Sequence, residues 1–231
     1  MTSVAKVLIV TADDFGISHG VNRGIVEAHR EGILTSTSLM VNRPAAVEAA
    51  ALGRACPALS VGLHLELDPA GAPDVLTQLD RQLGHFTELV GAPPTHVDSH
   101  HDVHRDPRVL PHVRAWADRL SVPVRGWSPV RHLPKFYGQW GGKTHLEQIS
   151  VAGLLRLLDT ELGPGATELT CHAGYVDGGL ASSYTIEREA EVRTLCDPCV
   201  RLALAERGIR LAGFRDLATL VAAWPVSEGA A

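Results

Sequence analysis

Apolar positions along the chain alternate between two rhythms. Val7, Leu8, Ile9 and Val10 form an unbroken apolar run that stops, after Thr11 and Ala12, at two adjacent carboxylates, Asp13 and Asp14. A run apolar on both faces predicts a buried strand of a parallel sheet. Ser18 then offers an N-cap for a helix over 18–31, with Val21, Ile25, Val26 and Ala28 inward and Gly32 as its stop. The period-two pattern returns at 34–41 and 60–67, predicting strands, with a Pro-initiated, Ala-rich helix at 44–54 between them. Leu76, Leu79, Leu83, Phe86 and Val90 recur at helical spacing over 74–90, and Gly91 ends that segment. A short strand over 95–99 runs straight into His100-His101-Asp102-Val103-His104. Further helices are predicted at 107–120, 145–162, 186–195, 198–207 and 215–223, and strands at 122–124, 167–172 and 209–212. Residues 126–143 and 174–184 read as loops, and 227–231 as a frayed tail.

Strand and helix alternate through about seven units without a return hairpin, which predicts a parallel sheet with helical crossovers. The polar residues choose between the two ways of building one. Asp13 and Asp14 follow the first strand, His64 ends the third, the His cluster follows the fourth and His172 ends the sixth. A (β/α) barrel brings such positions to one mouth, whereas an open sheet separates the first and sixth strands. We therefore expect a TIM-like barrel spanning 1–231 as one domain, a length ordinary for that fold. No G-x-G-x-x-G or P-loop pattern follows the first strand.

Composition narrows the function. A net charge of −5 without a basic stripe gives no case for nucleic acid. No apolar run reaches membrane-spanning length, and residues 1–6 lack the parts of a signal peptide, so a cytoplasmic location is expected. Cys196 and Cys199 have C-x-x-C spacing but no second pair for a structural zinc site, and they fall between helices rather than after a strand; we read them as structural. Histidine is the informative residue, with 12 copies, many clustered. Adjacent carboxylates are costly unless positive charge stands beside them, and a divalent metal supplies it. Asp14, His64 and one histidine of the H-V-D-S-H-H-D-V-H run form a carboxylate–imidazole set suited to Zn²⁺, and also to Fe, Co or Ni. Three protein ligands leave positions open for water and substrate.

In order along the chain, T-A-D-D-F-G-I-S, V-G-L-H-L, T-H-V-D-S-H-H-D-V-H and T-C-H-A-G-Y resemble the motifs of the YdjC-type carbohydrate deacetylases, as do C-D-P, G-I-R-L and F-R-D-L near the end. The resemblance implies a deformed (β/α) barrel and metal-dependent hydrolysis of N-acetyl groups on small-molecule amino sugars or oligosaccharides, with one divalent ion, Mg²⁺ or Zn²⁺. It implies Asp14, His64 and His100 as metal ligands, Asp13 as general base and His172 as general acid. It puts Asp98 and His104 behind the ligands or on the sugar; for Asp98, satisfying local backbone stands as the other reading. Trp127, Tyr137 and Trp140 either offer flat faces to pyranose rings or pack the loops onto the barrel rim.

Ala173 departs from the family's usual Pro, Asp102 from its usual His or Gln, and the stretch between His64 and Asp98 is short. Two other functional classes remain open. One is another barrel metallohydrolase, an amidohydrolase or phosphoesterase, against which Asp13-Asp14 stands where H-x-H is usual. The other is a catalytically silent sugar-binding protein. The oligomeric state is left open, a homodimer included.

Overall fold

The computed structural model describes residues 5–71 and 74–222; the expected tail at 227–231 lies outside them. Its spine is β1 (Lys6–Phe15), in which every residue from Val7 onward is buried. There follow α1 (His19–Arg30), β2 (Ser36–Leu39), α2 (Ala46–Ala55), β3 (Ser60–Leu65), α3 (Val75–Val90) and β4 (Val97–Ser99). A 3₁₀ segment (His100–Arg105) leads to α4 (Leu110–Leu120), then β5 (Arg131–Leu133) and the two-residue strands β6 (Gln139–Trp140) and β7 (Lys143–Thr144). The last part is α5 (Val151–Glu161), β8 (Gly165–Cys171), α6 (Ile186–Leu195), α7 (Pro198–Glu206), β9 (Ile209–Leu211) and α8 (Leu217–Ala222). Among the described residues no helix is long and apolar enough to cross a membrane.

The main sheet runs β4-β3-β2-β1-β8-β5, with β9 beside the start of β1, and its ladders are parallel. It curls into a half-barrel wrapped by helices, a deformed TIM-like α/β barrel. Helix starts follow their local chemistry. The Ser18 hydroxyl accepts from the Val21 N–H, the Asp74 carboxylate from the Thr77 N–H, and Gly91 closes α3 in the left-handed region at φ 77°.

One stretch differs from the periodicity reading. Residues 122–124 give only a single bridge, Val97 to Val124, because Pro123 has no N–H to offer a ladder. The second neighbour of β8, opposite β1, is instead β5, inside the stretch expected to be a loop. Its sequence, Arg-His-Leu, has one buried apolar residue and carries no strand signature. The same stretch holds an antiparallel hairpin, β6–β7, where no return hairpin was expected. Helix α5 starts at Val151, later than the expected 145, capped by the Ser150 hydroxyl on the Gly153 N–H.

The two faces of β1 serve different cores. Leu8, Val10 and Ala12 pack outward with Val21 and Ile25 of α1. Val7 and Ile9 point inward onto Phe214, Leu217 and Leu220, which plug the bottom of the barrel. Above that plug the interior turns polar. The His96 ring stacks on Phe214 with centroids 4.0 Å apart, and a Cβ on Gly62 would lie 2.5 Å from the His96 ring. Burial lowers the His96 pKa to about 4.

That shift has a defined sign. Between about pH 6.5 and pH 4 the unfolded chain binds a proton at His96 that the folded chain does not. This contribution to stability is whole above pH 6.5 and is lost as pH falls towards 4. It amounts to about 3 kcal/mol when lost completely. The variant His96→Leu is expected to show a flatter dependence of denaturation midpoint on pH across this window than the parent, measured by urea titration at several pH values.

Candidate active site

The site begins with a register slip. Ala12 pairs with Thr37 and Phe15 with Leu39, so β1 carries one extra residue opposite β2. Asp14 absorbs it at φ 68°, a left-handed conformation that Asp tolerates better than most residues. Strict alternation would send Asp13 and Asp14 to opposite faces. The bulge lets both carboxylates line one cavity of about 350 Å³ at the C-terminal strand ends. His64, His100, Arg125, Tyr137, His172 and Arg188 share that cavity.

Asp14 Oδ1 faces two imidazoles, with His64 Nε2 at 3.5 Å and His100 Nδ1 at 3.2 Å. Single donor atoms of these three residues lie within 4.8 Å of one another, a spacing that could hold an ion. The far nitrogen of His64, Nδ1, is 2.7 Å from Asp98 Oδ1 and 3.1 Å from the Ser38 hydroxyl. A carboxylate behind an imidazole in this way fixes which ring nitrogen is free to bind. Burial alone would lower the His64 pKa, but the charges of Asp98 and Asp13 raise it to about 10. Burial alone would likewise raise Asp14, yet His100, His64 and Arg188 hold it well below the usual carboxylate range.

Arg125 sits beneath Asp13. Its Nη1 and Nη2 reach the two Asp13 oxygens at 2.9 and 2.7 Å, and Nη2 lies 2.6 Å from Asp98. Glu168, from the middle of β8, accepts from Nε and Nη2 of the same guanidinium at 3.1 and 3.0 Å. Arg125 is buried and its pKa is raised further: desolvation opposes its charge, but three carboxylates outweigh that. From α6, Arg188 Nη2 reaches Asp14 Oδ2 at 2.5 Å.

On the opposite wall, His172 has a buried Nδ1 with no partner, and burial lowers its pKa. Tyr137 meets its ring edge-on at 5.5 Å and stacks on Tyr184 at 4.7 Å. Behind them Glu191 accepts from the His172 N–H and the Tyr184 O–H, while the Gly138 N–H donates to the Tyr184 hydroxyl at 2.8 Å. Burial raises Glu191 to about 8.

The sequence candidates thus divide. Asp13, Asp14, His64, His100, Tyr137 and His172 line the cavity, and Asp98 stands directly behind it. His104 is turned away: its Nδ1 meets the Ser99 hydroxyl at 2.7 Å, and its Nε2 lies 3.3 Å from the Arg125 carbonyl. Trp127 packs edge-on against His104, and the half-exposed Trp140 stacks on His145; neither lines the cavity. Asp102 reaches the cavity from a left-handed pair with His101, at φ 54° and 55°.

Sequence reasoning missed Arg125, Arg188, Glu168 and Glu191. A lone Arg directly after V-P-V was a signal for Arg125. The run I-E-R-E-A-E gave none, since it reads as a solvated helix face yet buries Glu187, Arg188 and Glu191.

Parallel strands delivering carboxylates and imidazoles to one mouth define a barrel of enzyme type, with its polar cluster at the C-terminal strand ends. The family described as YdjC-like protein matches residues 7–78 and 67–206, and the chain belongs to it. A chitooligosaccharide deacetylase of Serratia marcescens is 36% identical over 251 residues, covering 92% of this chain and 99% of the relative. A carbohydrate deacetylase of Geobacillus stearothermophilus is 38% identical over 250 residues, covering 90% and 96%. Among solved structures, one titled a putative cellobiose-phosphate cleavage protein, from Enterococcus faecalis, superposes with a TM-score of 0.80 at 29% identity, covering 92% of this chain and 99% of its own.

The Tyr184 hydroxyl joins the Gly138 loop to Glu191, so Tyr184→Phe leaves both partners short of a bond. We expect a loss of about 1–3 kcal/mol in urea unfolding. Faster proteolytic nicking within 134–145 should accompany it, compared by limited digestion of both proteins.

Proposed function

We propose that the protein is a carbohydrate N-deacetylase that hydrolyses the acetamide of an N-acetylated amino sugar or oligosaccharide, using a divalent cation held by Asp14, His64 and His100. The observation that carries this reading is the convergence of His64 Nε2 and His100 Nδ1 on one oxygen of Asp14, beside a second carboxylate, in a chain whose relatives include chitooligosaccharide deacetylases. The donor set fits a cation: two imidazoles and one carboxylate, the first imidazole backed by Asp98. Its nitrogen content suits Zn²⁺ or a similar ion better than Mg²⁺, which prefers oxygen ligands.

Held by Asp14, His64 and His100, a divalent ion would supply Lewis-acid polarisation of the acetamide carbonyl and a lowered pKa for bound water. Asp13 is the base for that water. The two-pronged contact from Arg125 keeps its carboxylate aimed into the cavity. His172 supplies the proton that the leaving amine needs. Burial lowers its pKa, which strengthens the imidazolium as an acid while favouring the neutral ring at rest. Tyr137, beside His172, offers an aromatic face to the pyranose ring.

Acetate release from diacetylchitobiose by the Zn²⁺-loaded protein tests the reading. Asp13→Asn should cut kcat by about 10²–10⁴-fold while metal stays bound; undiminished turnover would remove Asp13 from the role of base. Chelation with EDTA should abolish turnover, and added Zn²⁺ should restore it.

Metal uptake should also be proton-linked. The free site holds His64 protonated below about pH 10, and a ligating imidazole is neutral. Binding at pH 7 should therefore release about one proton from His64, and affinity should weaken as pH falls. Calorimetry in buffers of different ionisation enthalpy reads this number directly.

A further inference from the structure

We propose that Arg188 is a positioning residue that restricts Asp14 to one oxygen as a metal ligand and keeps the ligand set close to electrically neutral. The inference rests on the metal reading above and adds to it which Asp14 atom is available and what controls it.

Asp14 divides its two oxygens between two sets of partners. Oδ1 faces His64 Nε2 and His100 Nδ1, at 3.5 and 3.2 Å. Oδ2 accepts from Arg188 Nη2 at 2.5 Å. Arg188 is not a loose surface cation that can swing aside. Its side chain is 3% exposed, its Nε donates to the Tyr184 carbonyl at 3.0 Å, and its Nη1 donates to the His172 carbonyl at 3.2 Å. Moving it would take a donor from two carbonyls and from a buried carboxylate oxygen, a costly loss inside the fold. One side chain thus ties the end of β1, the end of β8 and the entry to α6 to a single carboxylate.

Two consequences follow. With Oδ2 committed, Asp14 presents only Oδ1 on the imidazole side. The Arg188 charge also offsets that of Asp14, so a cation arriving between His64 and His100 meets little net negative charge from its ligands. Like charge nearby weakens binding and leaves the cation's own charge less quenched. Arg188 therefore lowers metal affinity and preserves the polarising power that amide hydrolysis needs. A merely structural arginine predicts the reverse: its removal would loosen Asp14 and weaken the metal.

The test uses Co²⁺ as probe. In crystals of the Co²⁺-loaded wild-type protein, Asp14 should bind through Oδ1 alone, with Oδ2 still on Arg188; a carboxylate bound through both oxygens overturns the inference while leaving the metal reading intact. In solution, competition with a chromophoric chelator gives the affinity, with circular dichroism to verify folding. Arg188→Met should bind Co²⁺ at least about tenfold more tightly than wild type. Its kcat should fall with little change in KM. Arg188→Lys, which keeps the charge but not the three-way contact, should stay within about threefold of wild-type affinity. A folded Met variant that binds no more tightly than the Lys variant overturns the inference. If the Met variant does not fold, the loaded wild-type crystals decide. Failure of the wild type to take up Co²⁺ at all removes the metal reading, and this inference with it.

Discussion

Buried carboxylates crowd the mouth of this barrel, and two guanidiniums make that arrangement tenable. Asp13, Asp98 and Glu168 surround Arg125, and Asp14 holds Arg188. Removing either cation would leave an uncompensated buried charge, among the costliest defects a fold can carry. The protonation states follow from this balance. Arg125 and His64 hold Asp98 well below the ordinary carboxylate range against the pull of burial, whereas burial wins at Glu168 and raises it. His64, beside Asp98 and Asp13, takes up the remaining positive charge.

The fold is arranged to deliver that balance. The barrel interior is apolar at its base, where Phe214, Leu217 and Leu220 meet Val7 and Ile9. Ser38, His64 and Asp98 then build upward on the inward faces of β2, β3 and β4. Parallel pairing sets His64 beside Asp98 in register, so the contact between them is a property of the ladder rather than of flexible side chains. Helix α6 closes the other side, turning Glu187, Arg188 and Glu191 inward to hold the two rim segments and the wall that carries His172. The site is thus supported by strands on one side and by a charged helix face on the other.

Much of this was legible in the chain. The apolar run ending at Asp13-Asp14, the alternation around His64 and the strand running into His100 each carry a local signature, because strand ends in a parallel barrel meet by construction. The ordered motifs pointed to the family for the same reason. Other features left no local trace. Strand β5 has too few apolar residues to register a period, and Pro123 broke a segment whose composition was that of a strand.

The sequence by itself determined the strand–helix alternation, the ends at which the chemistry sits and the residue types that gather there. Tertiary structure alone decided the bulge that turns Asp13 and Asp14 into one cavity, the turning of His104, Trp127 and Trp140 away from it, and the partners Arg125, Arg188 and Glu191. The physical reason is range. Periodicity reports how a residue relates to its own element, while charge compensation is settled between residues as far apart in sequence as Asp14 and Arg188, through distances that exist only once the barrel has curled.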